Sequence, residues 1–91
     1  MLEIDLSKKA ADFLGKLPPK HARQIAERLQ ALREDPDGVP SSELKGYAPL
    51  RRARAGEYRI TFFVEDGVLR VPLVGKRNDD EIYRLIERFM R

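Results

Sequence analysis

The chain has 91 residues, 42% of them apolar, a net charge of +3 and no cysteine; a chain this short buries only about 60% of the surface it exposes unfolded, so residues 1–91 are expected to form a single domain. The cysteine count excludes disulfides, thiolate nucleophiles and Cys-ligated zinc, and a single histidine, His21, is too little for a His-built metal site or a Ser-His-Asp triad, so neither metal nor cofactor is expected. No apolar run approaches the roughly 18 residues of a membrane span and residues 1–7 carry no basic-then-apolar signal, which predicts a soluble, cytoplasmic protein without a membrane partner.

Leu2-Glu3-Ile4-Asp5-Leu6 alternates apolar and acidic residues and reads as a short, half-buried strand. Ser7 offers a helix N-cap, and Ala10, Phe13, Leu14 and Leu17 recur at helical spacing until Pro18-Pro19 ends that helix. Pro19 or its neighbour suits the first turn of a second helix, on which Ala22, Ile25, Ala26, Leu29 and Leu32 form the apolar stripe before Asp35-Pro36-Asp37-Gly38 breaks it. Residues 36–49, rich in Pro, Gly and Ser and without sustained periodicity, read as a connecting loop.

The period then switches to two. Tyr58, Ile60, Phe62 and Val64 form one face and Arg59, Thr61, Phe63 and Glu65 the other, with Asp66-Gly67 as a hairpin turn leading into a strand through Leu69, Val71 and Leu73. Pro72 donates no ladder hydrogen bond, which implies an edge strand, a bulge or an outward-facing amide. Asn78-Asp79-Asp80-Glu81 is an acidic helix start, and Ile82, Leu85, Ile86 and Phe89 give the stripe of a C-terminal helix. The expected class is α+β in the order β-α-α-β-β-β-α: an N-terminal strand and helical hairpin, an antiparallel sheet, and a C-terminal helix.

The charge is unevenly placed. Residues 1–43 carry a net −1, residues 44–77 a net +5 and residues 78–91 a net −1, a pattern shared by polyanion-binding faces and by ordinary solvated basic surfaces. A two-residue turn at Ala55-Gly56 would set Arg52 opposite Arg59 and Arg54 opposite Glu57; the Asp66-Gly67 turn would set Arg59 opposite Val74 and Phe63 opposite Arg70. Ala53, Tyr58, Ile60, Phe62, Leu69, Val71 and Leu73 then share the face that covers the helices. Arg52, Arg54, Arg59, Thr61, Phe63 and Arg70 share the other, with Arg77 where the last strand ends. Opposed like charges cost a few tenths to about 1 kcal/mol, a strain that a phosphodiester held in the planar guanidinium forks would relieve, as would splaying of the arginines toward solvent or nearby acids. Arg51 falls on the core-facing side and is expected to snorkel at the sheet edge. Phe63 suits base stacking or the covering of apolar surface equally. Tyr83 stands about 100° round the helix from Ile82, on a flank from which it can project toward Arg77.

With these residues in view, the chain resembles the RelE/ParE superfamily of bacterial and archaeal toxins, and its RelE branch in particular. The resemblance runs through Glu34-Asp35-Pro36, Leu44-Lys45-Gly46-Tyr47, Arg52-Ala53-Arg54-Ala55-Gly56-Glu57-Tyr58-Arg59-Ile60, Val74-Gly75-Lys76-Arg77 and Glu81-Ile82-Tyr83. It implies a ribosome-dependent endoribonuclease that enters the small-subunit decoding site and cuts messenger RNA by attack of a ribose 2′-hydroxyl on the adjacent phosphate. By position it makes Arg59 a phosphate-stabilising residue, Arg77 a general acid, Tyr83 a general base and Arg52 the second of two basic residues on the preceding strand. The first of those two is Leu50 here. Lys45, Arg54, Arg70 and Lys76 would be RNA-binding, and a cognate antitoxin in a toxin–antitoxin hetero-oligomer would face Ile82, Leu85, Ile86 and Phe89.

A free tyrosine has a pKa near about 10, so a base role calls for a cationic neighbourhood such as Arg59 and Arg77 would provide. Orientation of the 2′-hydroxyl and charge stabilisation on the phosphorane would supply much of the rate. A ParE-like inhibitor of DNA gyrase, acting by binding alone, and a non-toxic basic RNA-binding domain are the alternatives. The set Arg52, Arg59, Arg77 and Tyr83 argues for the nuclease.

Overall fold

The computed structural model describes residues 1–76, 83, 84 and 86–88. Seven elements follow in chain order: β1 (Glu3–Leu6), α1 (Lys8–Gly15), α2 (Pro19–Glu34), β2 (Ser41–Glu43), β3 (Arg51–Ala55), β4 (Tyr58–Glu65) and β5 (Val68–Lys76). Tyr83, Arg84 and residues 86–88 are helical. Residues 77–82, Leu85 and residues 89–91, which include Arg77, Ile82, Leu85 and Phe89 of the predicted site, lie outside the described residues.

Both helices begin where the sequence predicts, but α1 ends at Gly15, short of the proline pair, and leaves Leu17 beyond it. Ser7 caps α1, its Oγ accepting from the Ala10 amide at 3.0 Å and donating to the Pro72 carbonyl, which ties the cap to the sheet. Pro19 opens α2, where a missing amide hydrogen costs nothing, and Asp35 closes it. Ile25, Leu29 and Leu32 of α2 are buried with Ala10 of α1, whereas Ala26, expected on that stripe, is exposed. The burial follows spacings of four and three from Ile25 and leaves Ala26 on the shoulder.

The sheet order is β1-β5-β4-β3-β2. It is mixed, not antiparallel throughout: β1 runs parallel to β5, with Ile4 beside Leu69 and Leu6 beside Val71, while the other pairs are antiparallel. The helical hairpin forms the connection that returns the chain to the sheet after β1. The segment read as a loop contains a strand, β2, whose Ser41, Ser42 and Glu43 pair with Ala53, Arg52 and Arg51. Three residues are too few to show a period.

The two hairpins differ from expectation in instructive ways. The turn between β3 and β4 occupies Gly56-Glu57, one residue later than predicted, so Arg54 stands opposite Arg59 and Arg52 opposite Thr61. Gly56 is the first turn residue, with φ +62°, the place where a type II′ turn takes glycine. The partner shifts by two residues, so every side chain keeps its face. At the second hairpin Asp66 and Gly67 both have positive φ, at 52° and 76°, and Phe63 lies opposite Arg70 as expected. The register then steps between Thr61 and Phe63, leaving Val71 and Pro72 opposite Phe62. Of the three arrangements open to Pro72, an edge strand, a bulge or an outward-facing amide, the register shows the bulge. Beyond it Arg59 faces Gly75 and not Val74, and Thr61 faces Leu73. Leu73 therefore leaves the helix-covered face, and Val74 takes its place there.

The result is two cores. On the helix side Ile25, Leu29 and Leu32 pack on Ala53, Tyr58, Ile60, Phe62, Leu69, Val71 and Val74. On the other side Leu44, Leu50, Leu73 and Ile86 form a smaller cluster, flanked by Tyr47, Phe63 and Tyr83. The face predicted to carry Arg52, Arg54, Arg59, Thr61, Phe63 and Arg70 is thus partly covered by the segment before β3 and by the helical residues around Ile86.

Candidate nucleic-acid interface

Alternation along β3 and β4 places Arg52, Arg54, Arg59 and Thr61 on the face away from α1 and α2, in two adjacent cross-strand rows. One row runs Gly75, Arg59, Arg54; the next runs Leu73, Thr61, Arg52, Ser42. Gly75 places no side chain beside Arg59 in this row. The three arginines line a cleft of about 390 Å³ with Pro40, Ser41 and Ser42.

The cleft holds its cations differently. Arg59 is only 8% exposed, and its Nη1 donates to the Tyr58 carbonyl at 3.2 Å. Arg52 is half-buried, and its Nη2 donates to Ser42 Oγ at 3.4 Å across the β2–β3 pair. Arg54 is exposed. A largely desolvated guanidinium beside a more open pair suits an anion whose charge is held at depth and whose chain continues across the surface. Thr61, fully buried beneath them, accepts from the Leu73 amide at 3.1 Å and donates to the Leu73 carbonyl at 2.7 Å. It fastens β4 to β5 just past the bulge, where the ladder is broken, and so holds the strand that carries Arg59.

The remaining predicted residues divide by their partners. Arg51 lies on the helix side as expected, 5.7 Å over the Phe62 ring and bridged to Asp37 at 3.3 Å, but β2 pairs outside β3, so its strand is not the sheet edge. Arg70 is bound by Asp5, its neighbour across the parallel pair, and approaches Glu65 at 3.8 Å. It shares the face of the cleft arginines but does not line their cleft. Lys45 and Lys76 are exposed, Lys45 in the segment leading to β3 and Lys76 at the end of β5. Phe63 packs against the small core.

Leu50 is 3% exposed in that same core. It points to the arginine side but is roofed by Leu44 and Ile86, so its apolar identity fits its surroundings. Tyr83 is half-buried against the cluster, its ring 6.0 Å from that of Tyr47 at an interplanar angle of 49°. Ile86 is fully buried. Ser42, Thr61 and Tyr47 were not singled out as site residues in the sequence. Only the pairing of Ser41-Ser42 with β3 brings that hydroxyl to Arg52, and nothing in the local pattern announces it.

No protein-family model matches the chain, and no curated protein matches it. Solved structures do. A chain of the archaeal RelE–RelB complex from Pyrococcus horikoshii is 26% identical, with 85% of this chain and 96% of that chain covered at a TM-score of 0.71. A chain of a RelBE toxin–antitoxin complex from Mycobacterium tuberculosis is 25% identical, with 84% and 98% covered at a TM-score of 0.72. The isolated Escherichia coli RelE toxin is 22% identical, with both chains covered over 100% at a TM-score of 0.73.

The chain has the RelE toxin fold. Within the RelE fold, the arginine cleft lies on the sheet face opposite the helical hairpin, beside the part of that face where Tyr83 and Ile86 pack. No helix among the described residues is long and apolar enough to cross a membrane.

Proposed function

We propose that this chain is the toxin of a toxin–antitoxin pair and a ribosome-dependent endoribonuclease of the cytoplasm, cutting messenger RNA in the small-subunit decoding site. The observation that carries this reading is the cleft in which Arg52, Arg54 and Arg59 converge beside Ser42. Three guanidinium groups on rigid strands suit a phosphodiester, and they supply charge stabilisation without a metal.

In the proposed reaction Tyr83 accepts the proton of a ribose 2′-hydroxyl as that oxygen attacks the adjacent phosphorus. The bond from phosphorus to the 5′ oxygen breaks, and Arg77 returns a proton to the departing oxygen. The products are a 2′,3′-cyclic phosphate and a 5′-hydroxyl end. Arg59 and Arg52 offset the charge that builds on the non-bridging oxygens, and Arg54, Lys45 and Lys76 hold the flanking backbone. Arg70, already engaged by Asp5 and Glu65, contributes less to RNA than its place in the sequence suggests.

The partner proposed for the C-terminal stripe is a cognate antitoxin. Ile86 is fully buried against Leu44, Leu50 and Leu73, so an antitoxin reaching it has to lift this helix from the sheet.

The test is cleavage of message on programmed ribosomes, with mapping of the new 5′ ends. The parent chain should cut, Arg59→Ala and Arg77→Ala should nearly abolish cutting, and Tyr83→Phe should lower it severely. Intact message with the parent chain, together with loss of gyrase supercoiling, would replace the nuclease by the gyrase-binding alternative. Growth arrest on induction, relieved by the neighbouring gene, would establish the pairing with an antitoxin.

A further inference from the structure

Tyr47 has no part in the reaction as proposed, yet the fold takes care to place it. The segment from Leu44 to Leu50 closes on itself: the Leu44 amide donates to the Leu50 carbonyl at 3.0 Å, the Tyr47 amide to the Leu44 carbonyl at 2.9 Å, and the Leu50 amide to the Tyr47 carbonyl at 2.9 Å. Gly46, with φ +84°, supplies the left-handed residue just before Tyr47. Leu44 and Leu50 are buried at the two ends of this closed segment and anchor it to the sheet.

A half-buried tyrosine on so constrained a segment has little freedom, and its ring meets that of Tyr83 at 6.0 Å and 49°. That separation lies within the range of favourable aromatic pairs. Among the described residues, Tyr47 is the aromatic ring that Tyr83 meets. Its helix is fastened to the sheet through Ile86, one turn away, and Tyr83 itself sits at the margin of the small core. A general base must stay within hydrogen-bond reach of the proton it takes, and misplacement by about 1 Å costs on the order of a hundredfold in rate.

We infer that Tyr47 is a positioning residue for Tyr83, its ring fixing the rotamer of the Tyr83 phenol. The inference rests on the endoribonuclease reading. It assigns no contact with RNA to Tyr47, whose ring and not its hydroxyl does the work.

The experiment measures single-turnover cleavage of ribosome-bound message at saturating toxin, along with the toxin concentration that gives half-saturation. Tyr47→Leu keeps apolar volume against Leu44 and Leu50 and removes the ring. It should slow the cleavage step about ten- to a hundredfold with half-saturation unchanged, whereas Tyr47→Phe should retain most of the rate. Because Tyr47 acts through Tyr83, the double variant Tyr47→Leu/Tyr83→Phe should be no slower than Tyr83→Phe alone. A parent-like rate for Tyr47→Leu, equal slowing by Tyr47→Phe, or multiplicative losses in the double variant would each overturn the assignment while leaving the endonuclease standing. A parent chain that leaves message intact would overturn the endonuclease reading and this assignment with it.

Discussion

Arg54 stands directly opposite Arg59 across the β3–β4 pair. Two like charges in this relationship cost the fold a few tenths to about 1 kcal/mol. Arg54→Ala should therefore raise stability by about that amount in urea unfolding while weakening RNA binding. Arg59→Ala should lower the cleavage rate by at least about a hundredfold, the loss typical of removing one donor from a developing oxyanion. The opposite signs of the stability and activity effects at Arg54 are what distinguish a functional cluster from a structural one.

Salt provides a second measure of the cleft. Each phosphate neutralised on single-stranded nucleic acid contributes about 0.7 to the slope of log affinity against log salt. Arg52→Ala and Arg54→Ala should each reduce the slope for a short single-stranded RNA by about that increment. Arg51→Ala should not, because Arg51 lies on the other face with Asp37 and Phe62. Fluorescence titrations at several salt concentrations would measure all three.

Thr61 should prove a structural member of the site. Thr61→Val keeps its shape and removes the hydroxyl that bonds both the amide and the carbonyl of Leu73 in a fully buried position. The expected cost is about 1–3 kcal/mol, read as a lowered denaturation midpoint with unchanged slope. Thr61→Ser should retain most of the stability.

Gly56 should resist substitution for two separable reasons. Its φ of +62° strains any residue with a side chain, and a Cβ there would come within 2.5 Å of the Gln24 amide. Gly56→Ala should cost about 1–2 kcal/mol from the backbone alone, plus the displacement of Gln24. In a Gln24→Ala background only the backbone part should remain. Thermal unfolding of the four chains of this cycle would divide the two.

Leu50 should not accept the basic residue that the RelE resemblance suggests for its position. Leu50→Lys would bring an ammonium into the cluster of Leu44, Leu73 and Ile86. Burial of an unpaired charge should destabilise the chain by more than about 3 kcal/mol. Cleavage, measured below the unfolding transition, should not increase.

Much of this was legible in the chain alone, because it depends on neighbours in sequence. Ser7, Pro19 and Asp35-Pro36 bound the helices through capping and through proline's fixed φ. Asp66-Gly67 dictates its turn through positive φ, and the period of two sorts Arg52, Arg54 and Arg59 from Ala53, Tyr58 and Ile60. That sorting survived a turn misplaced by one residue because the cross-strand partner moved by two. The tertiary structure decided what no local pattern encodes. The pairing of β2 with β3 brings Ser42 to Arg52; the bulge at Pro72 moves Leu73 to the arginine side and sets Gly75 beside Arg59; and the second core buries Leu50 and brings Tyr47 to Tyr83. Each depends on contacts between segments distant in sequence, whose register is chosen by the packing of whole faces, so the arginines could be assigned to a face from the sequence but to their partners only in the folded chain.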